Sequence, residues 1–104
     1  MYDEIWTPVD DNPLKLDLAG CESTWDVHNV LKKTFGFPGY YGRNWDAFWD
    51  CLRDFFVGVK EPWEVHIYGY TGLPADLRER LERMWIIFSR LEEERPNVKF
   101  ILES

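Results

Sequence analysis

A chain of 104 residues, 45% hydrophobic and 17% aromatic, has apolar area enough for one core and too little length for a second domain. Nineteen acidic against twelve basic side chains give a formal charge of −7, which argues against the basic patch that direct nucleic-acid binding requires. No apolar run reaches the roughly 18–20 residues that cross a bilayer, and the acidic start Met1-Tyr2-Asp3-Glu4 lacks the positive charge of a secretory signal. The chain therefore reads as cytoplasmic and without a membrane role, with Cys21 and Cys51 as reduced structural thiols.

Taken in order, residues 1–13 read as an N-terminal extension with one short strand near Ile5 and Trp6, and residues 14–104 as a single domain. Leu14-Lys15-Leu16-Asp17-Leu18 alternates apolar with charged and meets Ala19-Gly20, the pattern of a strand ending in a turn. Ser23 opens a helix as its cap with Asp26 reaching back; Val27, Val30, Leu31 and Phe35 follow at helical spacing, and Gly36 stops it. After the breaker-rich loop from Phe37 to Gly42, Asn44 can cap a second helix running to about Phe55, before Gly58.

Glu64-Val65-His66-Ile67-Tyr68 alternates again as a second strand, and Gly69 to Pro74 turns out of it. From Ala75 the period becomes 3.6, with Leu77, Leu81, Met84, Trp85, Phe88 and Leu91 on one stripe, which predicts one helix ended by Pro96. Val98-Lys99-Phe100-Ile101-Leu102 closes the chain as a third strand. Three strands separated by helices define an α/β class with a small parallel sheet.

The second helix has two unlike faces. Its wheel gathers Trp45, Phe48, Leu52, Phe55 and Phe56 toward a core, and turns Asp46, Asp50, Arg53 and Asp54 outward. Asp46 and Asp50 are four positions apart, so like charges sit side by side at a cost of a few tenths of a kcal/mol that stability does not require. A solvated face would explain them, Asp46 gaining from the helix dipole. Trp49, at the edge of the apolar arc beside Asp50, instead gives the aromatic-plus-charge grouping that anchors interfaces.

Catalytic and metal chemistry find little support. His28 and His66 are isolated, no GxSxG, HExxH or P-loop pattern occurs, and the cysteines lack metal-ligand spacing. Asp46 and Asp50 alone supply too few oxygens for a divalent cation. The expectation is a protein without catalytic residues, metal or cofactor.

Val30-Leu31-Lys32-Lys33 followed by Phe37-Pro38-Gly39-Tyr40-Tyr41-Gly42-Arg43-Asn44-Trp45-Asp46-Ala47-Phe48-Trp49-Asp50-Cys51-Leu52 resembles the signature of the barstar family of intracellular ribonuclease inhibitors. The resemblance implies a three-stranded parallel sheet packed against helices, with the inhibitory surface on the loop before the second helix and on that helix. It implies Asp50 as the anchor that replaces a substrate phosphate in the nuclease cleft, and Asp46 as a second carboxylate. Tyr40 and Trp49 would pack beside them, Tyr41 and Gly42 would complete the contact loop, and Asn44 would touch the partner from the helix start. The partner implied is a basic ribonuclease of extracellular or toxin type, bound by a chain that is monomeric when free. An immunity protein, or a non-inhibitory acidic module for another basic protein, is the alternative. Two departures bear on partner choice: Arg90 stands where the family has an acidic contact on its last helix, and Arg43 interrupts the acidity of the loop. Phe55 occupies the place of a contacting Trp without the N–H, and the wheel buries it.

Overall fold

Leucine at every second position gives the first strand its two faces: Leu14 and Leu16 are buried in β1 (Leu14–Asp17), whereas Lys15 and Asp17 are exposed. In the computed structural model, which describes residues 5–104, β1 pairs with β2 (Trp63–Tyr68) and β2 with β3 (Val98–Leu102). All pairings are parallel and the order is β1-β2-β3. The register sets Leu14 opposite Val65, Leu16 opposite Ile67, and Trp63 opposite Val98, so one face is apolar. The other face carries Lys15, Glu64, His66 and Lys99, a polar surface unusual for parallel strands, which are commonly buried on both sides. His66 lies there between the carboxylates of Glu64 at 2.7 Å and Glu103 at 3.2 Å.

The helices cover the apolar face. In α1 (Thr24–Phe35), the Ser23 hydroxyl accepts from the Asp26 N–H at 3.2 Å, and Val27, Leu31 and Phe35 are buried. Asp26 does reach back, but it accepts from the Glu22 N–H at 2.9 Å, one residue before the cap. Gly36 ends the helix at φ 70°, a left-handed position favouring glycine. A Cβ there would also overlap the Thr7 carbonyl oxygen. Gly36→Ala is therefore expected to cost more than about 1 kcal/mol, read as a lower urea midpoint with unchanged slope.

The extension forms no strand among its described residues. The Thr7 N–H donates to the Gly36 carbonyl at 2.9 Å, and Trp6 meets Phe37 edge-on at 5.5 Å. It is thus tied to a helix end, which offers no ladder to pair with, and Pro8 has no N–H with which to continue one. Asn12 then joins the start of β1 to β2, donating to the Pro62 carbonyl at 2.8 Å and accepting from the Glu64 N–H at 3.1 Å.

Where one long helix was expected there are two, α3 (Ala75–Arg80) and α4 (Glu82–Glu94). Leu81 between them has φ −96° and ψ 6°, and its N–H donates to the Arg78 carbonyl three residues back, a tightened turn. The stripe survives the break because Leu77, Leu81, Met84, Phe88 and Leu91 are all buried; Trp85 is only partly so, and Ile87 joins the core. Packing of α1 on β1, α4 on β3, and α2 (Trp45–Phe55) against α4 completes the structure. Cys21 and Cys51 are buried free thiols, and burial pushes the Cys51 thiol up to about 11. No helix among the described residues is long and apolar enough to cross a membrane.

Candidate functional site

The loop and second helix are fastened from inside. Phe48, Leu52 and Phe56 have no exposed surface, whereas Trp45 and Phe55, which the wheel placed in the core, lie at its margins. Cys51 is buried too and belongs to the core. Phe35 of α1 meets Phe55 edge-on at 5.1 Å, and Phe48 meets Phe88 of α4 at 5.9 Å. These rings hold α2 between its neighbours.

The loop turns through a 3.0 Å bond from the Tyr41 N–H to the Pro38 carbonyl. Arg43 follows at φ 48°, the sole non-glycine residue with positive φ among those described, a conformation held only where its surroundings impose it. Its Nε donates to Asn29 Oδ1 at 2.7 Å, and its guanidinium lies 4.8 Å from the ring centre of Trp25. Both partners belong to α1, so the arginine that seemed to interrupt an acidic loop latches that loop to the preceding helix.

Tyr41 was expected on the contact surface, and the structure places it in the core with 2% of its surface exposed. Its hydroxyl shares a 2.6 Å hydrogen bond with Nδ1 of His28, which is also buried and lies against Trp45 at 4.3 Å. Burial first, and the Arg43 charge second, lower the His28 pKa to about 4, while burial raises that of Tyr41. Tyr41 therefore acts beneath the surface, supporting the loop from which Tyr40, half exposed, projects.

Asn44 caps α2: its Oδ1 accepts from the Ala47 N–H at 2.8 Å, and its Nδ2 donates to the Gly42 carbonyl at 3.2 Å. A Cβ on Gly42 would lie 3.1 Å from that amide nitrogen, so glycine keeps the cap undisturbed and leaves the backbone exposed. Beyond the cap, Asp46 and Asp50 are both exposed on one stripe of α2. Asp46 pairs with Arg83 of α4 at 3.2 Å, a solvent-exposed contact of small energetic value. The side chain of Asp50 makes no hydrogen bond or ion pair with any described residue. Trp49, partly buried, lies under the guanidinium of Arg90 at 4.4 Å, with that of Arg53 at 5.4 Å.

The loop and α2 thus leave Tyr40, Gly42, Asn44, Asp46 and Asp50 exposed and Trp49 partly buried, and withdraw Tyr41 into the core. His28, Trp25, Asn29 and Arg83 were not singled out beforehand as parts of the site; each acts through a contact between distant segments. Among the described residues no group of three or more His, Cys, Asp or Glu side chains could hold a metal ion.

Fold and surface together define a small parallel α/β protein that displays carboxylates on a helix braced from below by aromatic rings. Residues 12–103 match the family described as Barstar (barnase inhibitor), and the chain belongs to that family. A 26-residue stretch is 62% identical to a Bacillus subtilis (strain 168) protein named "Putative ribonuclease inhibitor YrdF". That stretch covers 25% of this chain and 29% of the relative.

Proposed function

We propose that this chain inhibits a basic ribonuclease by occupying its active site, performing no chemistry itself and acting inside the cell that makes it. The observation that carries the reading is Asp50: an exposed carboxylate, unpaired among the described residues, on a helix packed into the core, in a chain of the barstar family. A cleft that holds a phosphodiester must present cations, and a carboxylate already fixed in space meets them without the cost of ordering. Asp46, Tyr40, Trp49, Gly42 and Asn44 would surround that contact. Tyr41 takes no direct part, being the buried prop of the loop.

The test is an RNA-cleavage assay with barnase, the enzyme that the family description names, at rising concentrations of this protein. Competitive inhibition is expected, with KM raised and kcat unchanged. Inhibition that more RNA substrate fails to relieve would place the contact outside the cleft. The −7 charge further supports steering of a basic partner. Association measured by stopped flow is accordingly expected to slow by about tenfold or more between low and physiological salt, while dissociation changes little.

A further inference from the structure

Arg90 is arranged as a ligand rather than as an internal counter-ion. Its guanidinium stacks over Trp49 at 4.4 Å, yet it forms no ion pair with any described residue. The residue is exposed, so its N–H donors are open to a partner while the guanidinium carbon rests over the indole. Trp49 adjoins Asp50 in sequence, so the ring that Arg90 covers is one residue from the exposed carboxylate on α2.

Two ion pairs already join the helices of that seam. Asp46 pairs with Arg83 at 3.2 Å, and Arg53 pairs with Glu94 at 3.6 Å. The α2 and α4 seam therefore runs from one neutralised pair to another, with Arg90 over Trp49 between them. A surface meant only for a field of cations gains nothing from an organised, unpaired guanidinium, because like charges brought together oppose association. The arrangement suits a partner whose own surface changes sign over the same short distance.

Resting on the ribonuclease reading, we propose that Arg90 is a specificity-determining residue that binds a carboxylate on the rim of the cognate nuclease, beside the cationic cleft entered by Asp50. The pair selects enzymes with an acidic rim position and disfavours those whose rim is wholly basic. Arg83 is the reserve: its pair with Asp46 is highly exposed on both sides and opens at little cost.

The probe is barnase, unaltered and in a set of forms each carrying one rim Lys→Glu or Arg→Glu substitution, titrated by calorimetry. Each form is measured against the wild-type inhibitor, Arg90→Ala and Asp50→Ala. At least one glutamate form is expected to bind the wild type about tenfold tighter than it binds Arg90→Ala, while unaltered barnase binds Arg90→Ala equally well or better. If Arg90→Ala changes the affinity for every form by the same factor, the role of Arg90 is overturned and the inhibitor reading stands. If Asp50→Ala retains wild-type affinity, the inhibitor reading fails in its own right. Absence of binding by every form overturns both. Arg90 is exposed, and circular dichroism of Arg90→Ala checks that the fold is kept.

Discussion

Asp50→Ala is expected to weaken ribonuclease binding by about 2–5 kcal/mol, a scale calibrated in part on the barnase–barstar pair and so borrowed from it. The folded protein should not notice the change. Asp50 is exposed inside α2 and has no partner among the described residues. Alanine is a better helix former, and its substitution removes repulsion from Asp46 one turn away, so stability is expected to stay level or rise by a few tenths of a kcal/mol. Loss of binding would then report a lost contact and not a lost fold. Asp46→Ala should cost less, because Asp46 already spends part of its charge on Arg83. Titration calorimetry separates the two; a loss under about 1 kcal/mol for Asp50→Ala, with the melting curve unchanged, removes it as the anchor.

The second large effect is one of acid. His28 is held neutral in the native state with a pKa of about 4, against 6.5 in the unfolded chain. Above the upper value both states carry the same charge and pH has no influence through this residue. Between the two values the unfolded chain takes up a proton that the native state refuses, so unfolding becomes easier as pH falls. The loss reaches about 3 kcal/mol once pH has dropped to the native value. Urea midpoints measured from pH 7 to pH 4 should fall more steeply for the wild type than for His28→Gln, which cannot titrate. Carboxylates contribute to both curves, so the difference isolates His28. Parallel curves would mean that the ring accepts its proton within the fold.

The elements that could be read along the chain are those whose signal is local. Alternation in Leu14–Asp17, the caps Ser23 and Asn44, and the stop at Gly36 each depend on neighbours within a turn, and each stands in the structure as read. The break at Leu81 left no such mark: spacings of four and three carry the apolar stripe through it, and neither glycine nor proline interrupts the run. Tyr40 and Tyr41 are chemically identical neighbours, and the one that turns inward meets His28, thirteen residues upstream. Helical spacing likewise placed Trp49 at the edge of the core. That Arg90 covers it depends on how α4 crosses α2, which periodicity within either helix does not encode. The extension failed in the same way, since Trp6 and Thr7 find a helix terminus and a Phe ring that only the assembled fold brings near.

The two sulfhydryl groups make the molecule its own clock. Cys21 sits in the connection between β1 and α1 and Cys51 in α2, and burial makes each reluctant to ionise. An alkylating reagent can modify them only during excursions that bare the interior, and its labelling rate counts those openings without an added probe. Since α2 also displays Asp50, slower modification of Cys51 in the presence of an enzyme reports the engagement of that helix through its exposed face.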